Sequence, residues 1–447
     1  MDFIKIRDII IEAANAAGVT EYEIYCSSEE NISTETLKDE ISAFGSGMSG
    51  GVGFRCIVNG KMGYASTSLM EKEELAALVM RARENAKIIE NEDEVFIFRG
   101  SESYGKINAK KPVVADAHML KECALKVQKD AYGYNSCVVD GTQSGAISFA
   151  SQTYLYNSYG LELKNEVGMT GCYCVSVVNL NDEAKNNFEF ALGLCGEEVD
   201  ALAKKSVDGA MDKLGAVGVE SGKYSIIIDG DQMMNMLSTF ASVFSAKSAR
   251  MGLSLLAGKE GEVIASECVN ITDDPMREGC PIQTAFDGEG VATYKKSVVE
   301  GGVLKTLLYD LTNAKIMGKQ STGNGQRGSY ASQVAISPYN FSINAGEKSL
   351  EEMFAYMGEG IYITVLEGLH VAADAITGDF SIESAGFRIR DGKKAEAIKS
   401  FTIAGNFFEL LKKIECVSNT VKWGIPTGFC VFGSPAVLVR DVSVAGK

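Results

Sequence analysis

The sequence is poor in histidine, tryptophan and proline, with two, one and six of these residues in 447. An enzymatic zinc ion usually takes three protein ligands, and histidine is prominent among them. The two histidines, His118 and His370, lie far apart, and neither belongs to the helical His-Glu-x-x-His motif. The scarcity of histidine therefore argues against a zinc peptidase site of the usual kind in this chain.

The sequence also lacks an excess of positive charge, long apolar runs and a disulfide-like cysteine pattern. It carries 43 Lys and Arg against 59 Asp and Glu, a net charge of −16. Nucleic acids and anionic membranes are bound largely through cationic residues, so we expect neither as a partner. No apolar run approaches the ~18 residues of a membrane span. The start, Met1–Lys5, has no signal-peptide core, and eleven scattered cysteines suggest reduced thiols, so the expected location is the cytoplasm.

Several motifs of enzyme chemistry are absent as well. There is no G-x-S-x-G nucleophile elbow, no G-x-G-x-x-G after a strand and no G-x-x-x-x-G-K-[ST] loop. Cys172 and Cys174 share one face of a predicted strand, where packed thiols are a better explanation than a metal site. Asp273-Asp274 indicates a turn, and Asp229-Gly230-Asp231 a connection into a helix that begins near Asp231. Residue chemistry alone leads only to a cytoplasmic α+β protein.

What is present predicts an α+β fold in three parts. Two small units, each a helix with an antiparallel sheet, precede a larger strand-rich C-terminal domain with two sheets or a barrel-like layout. The predicted bounds are 1–105, 112–218 and 219–447, with a polar, aperiodic boundary segment at 90–111.

The first unit should contain a helix at 3–17, strands at 21–28 and 32–44, and a hairpin. Asn59-Gly60 tolerates the two positive φ angles of the hairpin turn between strands 51–58 and 61–66. Ser68 and Glu71 then resemble a capping box before a helix that runs to about Ile89.

The second unit should contain strands between two covering helices, and the third should open with a buried strand and a helix. The predicted second-unit elements are helix 115–132, strands 136–148, 151–157 and 161–179, and helix 197–214. The predicted third-domain elements are strand 224–229, a helix with the apolar stripe Met233, Leu237, Phe240 and Phe244, and further helices at 350–357 and 407–414.

Six phrases of the C-terminal domain, in this order and spacing, resemble the TldD/PmbA family, specifically its TldE (PmbA) branch. The N-terminal helix, the glycine-rich hairpin and the turn at 157–160 extend the resemblance over the whole length. The phrases are FDGEG at 286–290, GGVLK at 301–305, STGNGQR at 321–327, TGDFS at 377–381, TIAGN at 402–406 and GSP at 433–435.

The resemblance implies a cytoplasmic peptidase in which a TldD-type chain pairs with a TldE-type chain to degrade unfolded or short peptides. TldD-type chains carry zinc on a His-Glu-x-x-x-His helix at the start of the third domain. The matching helix here has no His, Glu or Cys between Asp231 and Arg250. No catalytic residue or metal ligand is therefore carried over, and zinc is expected in a TldD-type partner rather than in this chain.

The glycine-rich phrases also suggest where a peptide or partner could bind. A peptidase of broad specificity can hold its substrate as an added strand, through main-chain hydrogen bonds. The segments that could line such an edge or the partner's face are Glu367, Leu369 and His370, and Thr377, Gly378, Asp379 and Phe380. The alternative is that these residues are turns that only stabilise the fold.

Three functions follow as hypotheses. The first is a non-metal subunit of a TldD/TldE-type peptidase. The second is a hydrolase that acts alone through carboxylates or an unrecognised metal, and the scarcity of histidine argues against it. The third is a binding protein with a gyrase-related partner, because an older label for the family is modulator of DNA gyrase. Without its partner, the chain is expected to form a homodimer, mainly through residues 223–447.

Overall fold

The computed structural model describes residues 2–90 and 94–446. Met1 and Lys447, at the ends of the first and last predicted domains, and residues 91–93, within the predicted boundary segment, lie outside the described residues. The elements of the first half are α1 Phe3–Ala16, β1 Tyr22–Leu37, β2 Glu40–Val58, β3 Lys61–Thr67, α2 Lys72–Ile88, α3 Ala117–Tyr134, β4 Gln143–Asn157, β5 Glu162–Leu180, β6 Glu183–Leu192, α4 Glu197–Asp200 and α5 Leu202–Met211.

The described strands of the first half form one antiparallel sheet in the order β3-β2-β1-β4-β5-β6. β1 pairs along its length with β2 on one side and with β4 on the other, from Glu23↔Asn157 to Leu37↔Gln143. Two apolar clusters cover the sheet, one beneath α1 and α2 and one beneath α3 and α5. The two predicted small units thus contribute three strands each to a shared sheet, while the predicted domain bounds remain predictions.

The second half is strand-rich, with short helices between the strands. Its elements are β7 Gly222–Ile228, α6 Gly230–Phe240, a 3-10 helix Ala241–Phe244, α7 Ala246–Arg250, β8 Ile271–Asp273, β9 Lys296–Glu300, β10 Val303–Leu304, α8 Leu311–Ile316, β11 Gly325–Gln326, β12 Ala335–Ile336, β13 Asn340–Ile343, α9 Leu350–Met357, β14 Gly360–Glu367, α10 Leu369–Ala372, β15 Asp379–Arg390, β16 Lys393–Asn406, α11 Phe407–Lys413, β17 Ile414–Val417, β18 Lys422–Trp423, β19 Val431–Ser434 and β20 Val437–Ala445.

These strands form two large sheets around one core. Within the described residues, one sheet has the order β10-β9-β8-β13-β19-β18 and the other β16-β15-β14-β7-β20-β17. β20 also pairs with β16, through Thr402↔Ala445 to Ala404↔Ser443, which closes the second sheet into a barrel-like ring. The main core lies between the sheets, and Phe240 stacks on Phe407 there with ring centroids 4.4 Å apart. The predictions of an α+β class and of a two-sheet or barrel-like third part are confirmed.

Several predicted element bounds were wrong. The chain turns at Lys38 and Asp39, both with positive φ, so the predicted strand at 32–44 is two strands. The predicted break between 148 and 151 is absent, because β4 is continuous. β6 was missed, and the helix predicted at 197–214 is two helices, α4 and α5.

One predicted helix cap was wrong, whereas the helix start near Asp231 and the hairpin turn were right. The capping box at Ser68 does not form, because α2 begins after Glu71 without a side-chain cap. α6 begins at Gly230, next to Asp231, and its N-cap is Asp229. Asn59 and Gly60 do make the predicted turn, with φ of 53° and 74°. Within the described residues, every helix is too short or too polar to cross a membrane.

A buried group of five charged side chains joins the first sheet to the second half of the chain. This charged junction consists of Glu23 and Arg55 from the sheet and Asp287, Glu289 and Arg327 from the second half, all less than a tenth exposed. Arg55 donates to Glu23 at 2.8 Å, and Arg327 donates to the other oxygen of the same carboxylate. Asp287 accepts from the main-chain N–H groups of residues 289, 291 and 325. The phrases at 286–290 and 321–327 therefore build a contact between the two halves.

Burial dominates the proton equilibria of the junction. Removal from water, together with the neighbouring Asp287 charge, raises the pKa of Glu289 to about 8, although the Arg55 charge acts in the opposite direction. Burial likewise raises the pKa of Asp287 to about 6. With Glu289 protonated and the other four groups charged, two carboxylates balance two guanidinium groups.

Candidate functional site

α6 follows the buried strand β7. By the resemblance in sequence, it corresponds to the helix that carries zinc in TldD-type chains. Asp229 ends the strand and caps the helix, since its side chain accepts from Asp231 N at 3.1 Å. Met233, Met236, Leu237 and Phe240 face the core and are fully buried. The opposite side of α6 reaches the surface with the polar residues Asp231, Gln232, Asn235, Ser238 and Thr239.

Besides the 3-10 helix that follows it, α6 contacts β19, β14, β18 and α10. We call the polar side of α6, together with residues 364–367 of β14, α10 and β18, the α6 site. β14 pairs with β7 only from Ile361 to Ile363, after which β7 has ended. In the described residues, no strand continues this pairing on the β7 side of β14, so a short strand edge lies open beside α6.

A side chain of α6 partly occupies this edge. Gln232 Oε1 accepts from the main-chain N–H of Leu366 at 3.1 Å. The main-chain carbonyl of an added strand would accept the same kind of hydrogen bond. A bound peptide could therefore replace Gln232 as the acceptor for the N–H of Leu366.

The N-terminal end of α6 is held by a cluster of buried and half-buried polar groups. Lys422 Nζ lies 2.9 Å from both Asp229 Oδ1 and Asp231 Oδ2, and Tyr362 donates to the other oxygen of Asp229. Burial lowers the pKa of Lys422, but the two carboxylates outweigh it and raise the pKa above its ordinary value. Burial and the Asp229 charge also raise the pKa of Tyr362. The lysine therefore remains an ammonium that ties β18 to α6.

The predicted site residues lie in and after the end of β14. Glu367 is its last residue, is exposed, and lines a cleft of about 480 Å³ that also contains Lys213 and Glu383. Leu369 and His370 lie on α10, where Leu369 packs on the core and His370 is exposed.

The second predicted segment forms the tight entry into β15. Asn406 Nδ2 donates to Thr377 O and to Asp379 Oδ1, both at 2.8 Å. Gly378 has a φ of 82° and would bring a Cβ within 2.6 Å of the Phe408 ring, while Phe380 is buried in the core. Gly378 and Phe380 are therefore close-packed, whereas Thr377 and Asp379, like Glu367 and His370, are exposed.

Sequence reasoning missed several side chains of the site. Gln232 and Tyr362 belong to no recognisable motif, and Lys422 is far from α6 in sequence. A signal in the sequence is Trp423, the single tryptophan of the chain. Its ring is covered on one face by the Arg277 guanidinium, with the Cζ atom 3.6 Å from the ring centroid.

The residues of the α6 site do not fit a zinc ion. Zinc requires histidine, thiolate or carboxylate ligands, and the exposed middle of α6 offers amides and hydroxyls instead. Both carboxylates at its start are paired with Lys422. Across residues 2–90 and 94–446, no three His, Cys, Asp or Glu side chains lie together as a metal would need.

Comparison with known proteins agrees with the resemblance seen in the sequence. The family model for the PmbA/TldA metallopeptidase C-terminal domain matches residues 221–446, and the model for PmbA/TldA metallopeptidase domain 1 matches residues 22–86. A protein named metalloprotease from Methanothermobacter thermautotrophicus is 26% identical over 95% of this chain and 96% of its own.

Two solved structures have a similar fold over nearly all of both chains. A proposed modulator of a DNA gyrase from Thermotoga maritima has a TM-score of 0.88 and 26% identity, with 99% of this chain and 100% of that chain covered. TldE from Thermococcus kodakarensis has the same TM-score and coverage, and its 24% identity supports the fold alone. The chain belongs to the TldD/PmbA family of metallopeptidases.

Proposed function

We propose that this chain is the TldE-type subunit of a cytoplasmic TldD/TldE-type peptidase, and that it supplies peptide-binding surface but no zinc. The observation that carries the proposal is the α6 site. Its helix offers amide and hydroxyl side chains where a zinc helix would need histidines, and it lies beside an open strand edge. A metal-bearing TldD-type partner then provides the catalytic ion.

The open edge suits an extended, unfolded peptide. Main-chain hydrogen bonds are the same for nearly every sequence, so an added strand can be bound with little side-chain preference. In this proposal Glu367, Leu369 and His370 border the end of the edge and contact peptide or partner. The segment of Thr377, Gly378, Asp379 and Phe380 contacts α10 at the start of β15, and its exposed residues, Thr377 and Asp379, could also contact peptide or partner.

The proposal also includes the assembly of the chain. A TldD-type subunit with the same fold would pair through an equivalent surface, so the isolated chain should pair with itself. We place this contact mainly in residues 223–447, where two sheets have edges to cover.

Reconstituted peptide hydrolysis tests the proposal. The substrate is an unfolded protein, and the samples are this chain, a relative with the His-Glu-x-x-x-His helix, and their mixture, each with and without chelator. We expect no hydrolysis by this chain alone and chelator-sensitive hydrolysis by the mixture, above that of the relative. Strong hydrolysis by this chain alone that chelator does not reduce would instead support a hydrolase that acts by itself.

The alternative is a binding protein without a peptidase role, and the description of the Thermotoga maritima neighbour favours a gyrase-related partner. The net charge of −16 permits a protein contact and disfavours DNA. If the mixture hydrolyses nothing and the chain binds purified gyrase in the absence of DNA, this alternative is the better one.

A further inference from the structure

Arg277 is held in a tight turn after β8. Its main-chain N–H donates to Asp274 O at 3.1 Å, and its carbonyl accepts from Cys280 N at 3.2 Å and from Gln283 Nε2 at 2.8 Å. These bonds hold the two peptide groups that flank the Cα atom of Arg277, so the direction in which the side chain leaves the turn is well defined.

The guanidinium of Arg277 lies over the ring of Trp423, with its Cζ atom 3.6 Å from the ring centroid. The ring also packs on Gly433, where a Cβ would lie 2.7 Å from a ring atom, so only glycine leaves room. Arginine is strongly attracted to a tryptophan face, and a planar guanidinium held in this way loses little further freedom when it binds a ligand.

This guanidinium lacks the anion that a half-buried arginine normally has. Among the described residues, no carboxylate lies within 4 Å of it, while Arg55, Arg327 and Arg440 each have such a partner. Its Nε is buried and has no hydrogen-bond acceptor. Burial lowers the pKa of Arg277, a sign that the cost of desolvation exceeds the support of its neighbours. A charge that is partly removed from water without an ionic partner is costly, and a ligand carboxylate would pair with the guanidinium.

The stack stands beside the α6 site. Trp423 follows Lys422, which is bonded to both aspartates at the start of α6. On the next residue, Gly424, a Cβ would lie 2.8 Å from the sulfur of Met234 of α6. Arg277 therefore lies near a peptide that is bound along α6 and the β14 edge.

We propose that Arg277, stacked on Trp423, is a carboxylate-binding subsite of the α6 site. Its ligand is a peptide carboxylate, from the chain terminus or from an acidic side chain. The planar fork of a guanidinium matches the two oxygens of a carboxylate. This inference rests on the proposed binding of peptides, and it adds that the subunit prefers peptides with a carboxylate at one position.

The test is a binding titration of the full-length chain with three forms of one uncharged octapeptide of valine, threonine and serine. The forms have a free C-terminal carboxylate, a C-terminal amide, or the amide with one internal glutamate. Calorimetry gives the affinities, and the fluorescence of Trp423, the single tryptophan, reports contact at the stack. We expect a carboxylate-bearing form to bind about tenfold more tightly than the plain amide and to change the fluorescence. Comparison of the free-terminus and glutamate forms shows which carboxylate is used.

Variants of the arginine complete the test. Arg277→Gln should abolish the preference and leave the affinity for the amide unchanged, and Arg277→Lys should restore part of the preference. Arg388→Gln is the control, because Arg388 also has a buried Nε without a hydrogen-bond acceptor, but it lies over Tyr224 and has the Glu396 carboxylate at 3.8 Å. If the wild-type chain binds all three forms equally, the subsite is refuted and the proposed peptide binding stands. If it binds none of them, both are refuted.

Discussion

Replacing Glu289 by glutamine should remove a large part of the pH dependence of stability. Glu289 accepts from Leu311 N at 2.8 Å and lies 4.0 Å from Arg55 in the charged junction. Glutamine keeps the shape and an acceptor oxygen, and it resembles the protonated acid. The substitution therefore changes the ability to ionise more than it changes packing.

The magnitude follows from the two states of the carboxyl group. It titrates near 4.5 in the unfolded chain and at about 8 in the folded chain. Because the folded-state pKa is the higher one, the folded chain holds a proton that the unfolded chain has released, and stability falls as the pH rises from 4.5 to 8. At about 1.4 kcal/mol per pH unit, the wild-type chain should lose roughly 3–4 kcal/mol from this group between pH 5 and pH 9. The glutamine variant should not show this loss.

The assay is urea unfolding at pH 5, 7 and 9, followed by the fluorescence of Trp423 and by circular dichroism. We expect wild type and Glu289→Gln to have similar free energies of unfolding at pH 5, and the variant to be more stable by at least 2 kcal/mol at pH 9. Glu300→Gln is the control, since Glu300 is exposed and pairs with Lys305 at 3.4 Å, where the effect should stay below about 1 kcal/mol. Parallel curves for wild type and Glu289→Gln would refute the reasoning.

Three further predictions concern the α6 site and assembly. Gly378→Ala should lower the free energy of unfolding by about 1–3 kcal/mol, because an alanine there has both a strained φ of 82° and a close contact with Phe408. Gly428→Ala is the control, since Gly428 has a positive φ but open space around it. It should lower the free energy of unfolding by less in the same urea assay. Gln232→Ala should raise the affinity for an extended peptide a few-fold in calorimetry, since Leu366 N–H then has no internal acceptor, and a loss of affinity would contradict the edge as a binding site. Light scattering at micromolar concentration should find the mass of a homodimer, since an interface above about 1,000 Å² is large enough for stable pairing; the mass of a monomer would contradict that proposal.

Local turn chemistry was predictable where a residue type specifies a conformation. Asn59-Gly60 was recognised because both residues readily take positive φ. Lys38 and Asp39 take the same conformation, but lysine is rare there, so the turn between β1 and β2 was missed and two strands were read as one. β6 was missed because its sequence is largely polar, with Glu183, Lys185 and Glu189, and only pairing with β5 makes it a strand.

The candidate site was less predictable than the fold, because it depends on contacts between distant parts of the chain. The absence of zinc ligands on α6 could be read directly from the sequence. The bond between Gln232 and Leu366, and that between Arg327 and Glu23, join residues with no local relation. Glycine-rich phrases marked the family, yet the structure is needed to see that FDGEG builds a buried junction rather than a binding surface.

Metal content tests the central claim most directly, namely that this subunit contributes surface and no zinc. The measurement is elemental analysis of the purified full-length chain and of its complex with a relative that carries the His-Glu-x-x-x-His helix, both after gel filtration in zinc-containing buffer. Because α6 has no zinc ligand and its first carboxylates are paired with Lys422, we expect no stoichiometric metal in the chain alone and one zinc ion per mixed complex. One tightly bound zinc ion per molecule of this chain alone would contradict the account.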